Sequence, residues 1–366
     1  MSNVVVKIGT SSLTNEAGVI EQAIIDRVAN EMARLRVDGH TVTLVTSGAI
    51  AAGMPLLGIG SDQRPADSVT LQALSSIGQP ALVRSWSKAF ADYGVAVGQI
   101  LLAPHNFGDR AQYLHARSTL VRLHELGVVP LINENDAVTD SGIRYGDNDR
   151  IAALVAQLVD ADMLILLTDT DGVLTADPRM DPNASLIEEI VMFDQELEAM
   201  AGGAGSVRGS GGMASKLTAA KIAAWSGVRT VIANARRLNV LVDAVSGIDG
   251  VGTTVLPRQT TLPARKLWIG FAMPAAAIVT VDDGAAAALA EGGRSLLAVG
   301  VSGVVGNFEA GQAIDIATVS GTVFAKGLAR LGAAELQLAQ GSGNDLSSPV
   351  QRAVVVHVDD MVMIPG

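Results

Sequence analysis

The sequence contains no cysteine, and aromatic residues fill only 3% of its 366 positions. Without thiols, disulfides, thiolate zinc sites and cysteine nucleophiles are excluded outright. Basic residues are in deficit as well: 26 Lys and Arg face 37 Asp and Glu, a formal net charge of −11. Affinity for phosphate backbones rests on clustered cations, so this balance argues against non-specific nucleic-acid binding and for a small substrate. Long apolar runs are also missing. The mean hydropathy is +0.35, yet charge, Gly or Pro interrupts every apolar run before the roughly 18 residues that a membrane-spanning helix needs. The amino terminus lacks a basic region followed by an apolar stretch, which points away from a secretory signal and toward the cytoplasm.

Several sequence signatures are absent too. No Gly-x-Ser-x-Gly elbow is present, which disfavours hydrolase chemistry, and no Gly-Lys-Ser/Thr completes a Walker loop. The five histidines (40, 105, 115, 124 and 357) show no ligand-like spacing and read as structural residues.

What is abundant is Ala, Val, Leu and Ile, which suits buried strands and Ala-rich helices in an α/β protein. A chain of this length exceeds what one core usually supports, so two domains are expected. From residue 3 to about 255, short Val/Ile/Leu-rich runs alternate with longer 3.6-periodic segments, the pattern of strand–helix units around a mainly parallel sheet. Strands are expected at 3–8, 41–46, 95–102, 128–133, 162–168, 228–233 and 252–256. Ile151, Leu154, Val155, Leu158 and Val159 fall at helical spacing and predict an amphipathic helix. Two prolines, Pro257 and Pro263, bracket a polar segment that reads as the linker. The expected boundaries are 1–258 for the larger domain, 259–263 for the linker and 264–366 for the smaller. In the smaller one, runs such as 277–281 and 312–317 alternate between Gly-rich turns, which predicts a β-rich module.

In an open parallel sheet, ligands bind beyond the carboxyl ends of the strands, and chemistry-bearing residues gather at five such places. Val4-Val5-Val6 runs into Lys7-Ile8-Gly9-Thr10-Ser11-Ser12, an ammonium beside a Gly turn and hydroxyls suited to phosphate oxygens; the alternative is a solvated lysine. Thr46-Ser47-Gly48 leads into an Ala-rich segment that offers either free amides for an anion or only a serine-capped turn. The densest polar stretch runs from Asn133-Glu134-Asn135-Asp136 to Gly146-Asp147-Asn148-Asp149 and joins a buried-looking strand to an apolar helix, so its ends must lie over the sheet. Thr168-Asp169-Thr170-Asp171 again ends an apolar strand, as a nucleotide contact or a plain turn. Finally, Gly209-Ser210-Gly211-Gly212-Met213-Ala214-Ser215-Lys216 precedes a helical run at 217–226 and combines a flexible backbone, a helix amino terminus and a lysine, as polyphosphate binding requires. Its match to G-x-G-x-x-A is weak evidence for a dinucleotide site, because an expected helix at 194–201, not a strand, precedes it.

In order, KIGTSSLT (7–14), TSGAI (46–50), NENDAV (133–138), YGDND (145–149), LLTDTDGV followed by DPR (166–179) and GSGGMASK (209–216) resemble the glutamate 5-kinases of the amino-acid kinase family. The resemblance covers about residues 3–256, and the tail from about 264 resembles a PUA domain. It implies a three-layer sandwich around a mainly parallel sheet, with a small β-rich PUA-like domain behind it. It further implies phosphorylation of L-glutamate on its γ-carboxylate by ATP with Mg²⁺, the first step of proline biosynthesis. Lys7 and Lys216 would hold the transferring phosphate and Asp149 would orient them. Gly9 and Gly48 would give backbone contacts, and Ser47, Asp136 and Asn148 would hold glutamate. Lys7, Gly9, Thr168, Asp169 and the run Ser210, Gly211, Gly212, Met213, Ala214, Ser215 and Lys216 would bind ATP, with no protein metal ligand. Serines stand at 210 and 215 where the family usually has threonine, and Gly172-Val173-Leu174 stands where Gly-Leu-Tyr is expected. Feedback inhibition by L-proline, a homo-oligomer (dimer or tetramer) and glutamyl phosphate reductase as a partner belong to the same implication.

The rivals are a kinase of this fold acting on another small carboxylate or carbamate, an RNA-binding protein and a nicotinamide oxidoreductase. Residues 264–366 carry six Lys/Arg against nine Asp/Glu, a balance of −3 with no basic stripe, which weakens the RNA reading.

Overall fold

The computed structural model describes residues 1–103, 106–107, 109–138, 148–176, 181, 183–193, 212–258, 262–341 and 352–364. The chain divides into two compact units, Met1–Asn106 with Arg110–Thr261, and Leu262–Gly366 with the short segment Phe107–Asp109.

In the first unit the elements follow the order β1 (Asn3–Ile8), α1 (Thr10–Leu13), α2 (Gln22–Val37), β2 (Thr41–Thr46), α3 (Ala49–Gly53), α4 (Ser68–Ala91), β3 (Val97–Leu102), α5 (Arg110–Glu125) and β4 (Val129–Glu134). They continue with α6 (Asn148–Leu158), β5 (Met163–Thr168), β6 (Glu189–Ile190), α7 (Met213–Trp225), β7 (Arg229–Asn234), α8 (Val240–Ser246) and β8 (Gly252–Val255). The strands form one eight-stranded sheet in the order β3-β4-β2-β1-β5-β7-β8-β6. Pairing is parallel except between β7 and β8. The parallel run has a local cause: β1, β2, β3 and β4 are each followed by at least one helix before the next strand, and helical crossovers return the chain in the same direction.

Alternation along β1 sorts its side chains between two layers. Val4, Val6 and Ile8 join Ile25, Val28 and Met32 of α2, Leu82, Trp86 and Phe90 of α4 and Leu241 of α8 in one buried cluster. The intervening Lys7 is therefore directed to the opposite layer, where α6 and α7 lie, and its ammonium is bonded there to a side chain of α6. This parity turns a strand lysine into a site residue.

The second unit contains α9 (Ala264–Leu267), β9 (Ala277–Val281), α10 (Asp283–Ala290), β10 (Leu296–Leu297), β11 (Val301–Gly306), β12 (Ala313–Ala317), β13 (Val323–Ala329), α11 (Ala333–Gly341) and β14 (Val354–Met363). Its sheet runs β10-β14-β13-β12-β9-β11 over a core of its own that includes Val279, Val281, Phe308, Ile314, Ile316 and Val355. Two arginines serve one carboxylate here: Arg265 donates to Asp360 at 2.6 Å and 3.0 Å, and Arg330 at 3.4 Å.

No helix among the described residues is long and apolar enough to cross a membrane. The helix expected at 194–201 lies outside the described residues. Two of the five histidines have plain hydrogen-bonding roles: His40 Nδ1 accepts from the Ser2 amide at 3.1 Å, and His124 Nε2 meets the Thr43 hydroxyl at 2.8 Å.

One buried polar group is poorly served. Thr230 of β7 is fully buried, and its hydroxyl finds no hydrogen-bond partner among the described residues. An unpaired buried hydroxyl costs more than a methyl of the same shape. Thr230→Val is therefore expected to raise stability by about 1 kcal/mol, read as a higher denaturant midpoint at unchanged slope. A lower midpoint would show that the hydroxyl is bonded after all.

Candidate active site

The chemistry converges on one carboxylate. Asp149 lies in the first turn of α6, where the free amides and the helix dipole favour negative charge, and it is 1% exposed. The Lys7 ammonium, at the far end of β1, sits 2.5 Å from its Oδ1, and the Lys216 ammonium, in the first turn of α7, sits 3.3 Å from its Oδ2. Both lysines are buried as well. Ser215 adds a hydroxyl that donates to Oδ2 at 2.7 Å. Burial alone would push the Asp149 carboxyl up, but the two ammoniums and the hydrogen bonds from Lys7 and Ser215 outweigh it and hold the pKa down to about 2. The carboxylate is thus permanently ionised and a poor base. Two ammoniums thus meet at this carboxylate, an arrangement that suits an incoming phosphoryl group.

Gly9 leaves β1 beside this cluster. Its φ of −87° is open to any residue, so space is the reason for glycine: a Cβ here would lie 3.3 Å from the Lys7 ammonium. Gly48 differs. With φ at +104° it caps the amino end of α3 in the left-handed region that glycine favours. No serine side chain caps this helix, contrary to the plain-turn alternative. Ser47 binds the sheet through its backbone, its amide donating to the Ile8 carbonyl at 3.1 Å.

A second polar group gathers at the end of β4. Asn133, Glu134 and Asn148 are buried, and the Glu134 amide donates to Asn133 Oδ1 at 2.9 Å and to Asn148 Oδ1 at 3.1 Å. Asn148 thereby ties the strand end to the start of α6. Asp136 follows two residues after β4 and accepts a 2.5 Å hydrogen bond from Ser75 of α4. Burial raises its pKa, against the pull of the Ser75 hydrogen bond and the charge of Arg64. A bound cation beside such a carboxylate would pull its pKa back down.

α4 can reach Asp136 because it packs on α3 at backbone distance. A Cβ on Gly78 would fall 1.8 Å from the Ala49 carbonyl oxygen, and one on Gly53 would fall 2.2 Å from that of Leu74. Only glycines permit this approach. The region 51–80, whose Gly and polar content suggests a closing loop, is in large part this packed helix pair.

The structure brings Lys7, Gly9, Asp149, Ser215 and Lys216 into one cluster. Thr168 and Asp169 end β5, where the Thr168 hydroxyl donates to Asp169 Oδ1 at 3.2 Å. Gly212 caps α7, and Met213 and Ala214 open it. That helix begins four residues before the expected 217, so Ser215 and Lys216 belong to its first turn and not to the preceding loop. Glycine-rich composition hides a helix start that tertiary packing enforces. Ser210 and Gly211 lie outside the described residues. Ser75 was beyond sequence reasoning: nothing local marks it, and its partner stands 61 residues away.

The description "Amino acid kinase family" matches residues 3–234 and "PUA domain" matches residues 277–345. The chain belongs to the amino acid kinase family. Curated relatives named Glutamate 5-kinase, from Paraburkholderia xenovorans, Paraburkholderia phymatum and Burkholderia cenocepacia, are each 43% identical over 98% of this chain and 97% of their own length. Lys7, Asp149 and Lys216 all lie within the residues that the family model matches. The first unit carries the amino acid kinase match and the second the PUA match, in agreement with the expected fold class.

Proposed function

We propose that this chain transfers the γ-phosphoryl group of ATP to the γ-carboxylate of L-glutamate, giving γ-glutamyl phosphate and ADP. A carboxylate oxygen forms the new bond to phosphorus as the bond to the β,γ-bridging oxygen breaks, and ADP carries away the electron pair. One observation carries this reading: the carboxylate between the two lysines has a pKa of about 2. It cannot take a proton from an alcohol, so an acceptor that is already ionised fits, and the side chain of glutamate, with an unperturbed pKa of about 4.3, is ionised at neutral pH. Catalysis then rests on positioning and on neutralising charge over the moving group. Lys7 and Lys216 supply the positive charge, Asp149 fixes them, and the start of α7 offers amides to phosphate oxygens.

Mg²⁺ enters with the nucleotide in this reading. No three His, Asp or Glu side chains gather as a metal cage among the described residues. Phosphate oxygens would be its main ligands, as is usual for this ion, and it would supply further charge neutralisation there. Thr168, Asp169, the backbone from Gly212 to Ala214 and the Lys216 ammonium face the nucleotide. Ser47, Asp136 and Asn148 hold glutamate, the Asp136 carboxylate taking its α-ammonium. L-proline carries the same α-ammonium and α-carboxylate, which supports competition for one pocket. A cytoplasmic homo-oligomer and glutamyl phosphate reductase as the next enzyme accord with an acyl phosphate product that water destroys.

A coupled ADP assay across glutamate, aspartate, acetylglutamate and carbamate tests the assignment. Turnover confined to glutamate is expected, and preference for any of the other three would replace it. Within this reading, Asp136→Asn should raise the glutamate KM on the order of tenfold or more, with a smaller change in kcat, because a charged hydrogen bond made in ground and transition states alike is lost. Sensitivity to millimolar proline should fall in parallel. An unchanged glutamate KM would remove Asp136 from the pocket.

A further inference from the structure

Ser215 has a hydroxyl that faces inward. Resemblance groups it with the nucleotide-binding run, yet its Oγ lies 2.7 Å from Asp149 Oδ2 and 2.9 Å from the Gly212 carbonyl oxygen. A hydroxyl has a single proton to donate, so these two acceptors share it. Asp149 Oδ2 is the same atom that receives Lys216, at 3.3 Å. Neighbouring residues of α7 therefore grip one carboxylate oxygen, while Lys7 takes the other. The Ser215 amide also donates to the Gly212 carbonyl, at 3.1 Å, which closes the first turn of α7 against its cap.

We propose that Ser215 is a positioning residue that acts through Asp149: its hydroxyl links the amino end of α7, at Gly212, to the carboxylate that sets both lysines. The inference rests on the kinase reading above, and it assigns to Ser215 a role other than nucleotide contact. Two ammoniums bound to one small anion pull it in different directions, and a third, neutral donor fixes its rotation. Without the hydroxyl, Asp149 turns toward Lys7, its closer partner, and Lys216 loses the anchor that aims it. The consequence falls on the transition state, where the lysines must match charge as it develops, and only slightly on the ground-state affinity for either substrate.

This separates the proposal from simple ATP binding. Ser215→Ala should lower kcat on the order of tenfold, with the KM values for ATP and glutamate within about twofold of wild type, since an interaction realised mainly in the transition state is lost. The fold should persist, with a melting temperature lower by only a few degrees for the loss of one hydrogen bond to a buried carboxylate. Ser215→Thr, which keeps the hydroxyl, should restore turnover. In an Asp149→Asn background Ser215→Ala should add nothing further, because residues acting as one unit are non-additive. Normal kcat in Ser215→Ala, a raised ATP KM at unchanged kcat, or failure of the threonine to rescue would each overturn the proposal. Wild-type ADP release with glutamate is measured first. If turnover occurs only with another carboxylate or a carbamate, the glutamate assignment fails while the Ser215 variants are read with that acceptor; if none is turned over, the kinase reading and this inference fall together.

Discussion

Asp149→Asn is expected to lower kcat on the order of 1,000-fold or more, to a small residual rate, and to destabilise the fold by about 3 kcal/mol, the lower end for breaking a buried ion pair from one side. The asparagine keeps the shape and removes the charge. Lys7 and Lys216 would then face each other across a neutral amide while both remain buried, and burial beside a like charge drives an ammonium to shed its proton. A centre with one neutral lysine no longer matches a phosphoryl group. Lys216→Met provides the contrast. It leaves the closer Lys7–Asp149 ion pair intact, so the loss of stability should be smaller while turnover still falls on the order of 100-fold or more. Urea unfolding beside ADP release distinguishes these outcomes. If Lys216→Met destabilised the protein as much as Asp149→Asn, the trio would be a structural brace in which charge balance has no part.

Acid should reveal the same carboxylate. Its pKa of about 2 in the folded chain lies below the ordinary aspartate value of about 3.9. The stabilisation it provides is thus complete above about pH 4 and is lost as pH falls toward 2. Asp149→Asn should lack that part of the acid dependence.

Much of this site is legible in the sequence, for a physical reason. In parallel sheets, strand ends are where buried apolar runs give way to polar residues, so Val4-Val5-Val6 before Lys7 and Leu164-Ile165-Leu166-Leu167 before Thr168 mark the ligand-facing edge directly. The seven expected strands all form, with ends that differ by at most two residues. β6, a two-residue strand, is too short for any periodicity to declare. Ordered motifs single out residues but do not say how they bond. That Lys7 and Lys216, 209 positions apart in the numbering, close on one carboxylate depends on the packing of α6 and α7 over β1. Ser75 illustrates the limit: a serine within an Ala- and Leu-bearing helix resembles any other, and its bond to Asp136 depends on how closely α4 approaches α3.

That approach sets the second large effect. Gly78→Ala should destabilise the first unit by about 3 kcal/mol or more, the upper end for overpacking, because the new methyl would sit 1.8 Å from the Ala49 carbonyl oxygen and 2.6 Å from the Gly53 amide nitrogen. Backbone occupies both places, so no side chain can swing aside and the two helices must part. A loss of this size is a large fraction of the 5–15 kcal/mol typical of a domain. Gly58→Ala is the matched control: its φ of +69° strains an alanine, yet a Cβ there meets nothing within 4 Å, so only about 1 kcal/mol of backbone cost is expected. The consequence extends to function, because α4 carries Ser75 to Asp136 and α3 begins at Gly48, next to Ser47. Separating the helices should loosen both sides of the proposed glutamate pocket. In the fraction of Gly78→Ala that stays folded at low temperature, the glutamate KM should therefore rise well above that of Gly58→Ala, while the ATP KM changes little. A Gly78→Ala protein as stable as wild type would mean that α3 and α4 can separate at no cost, and a stable fold with an unchanged glutamate KM would detach the helix pair from the pocket.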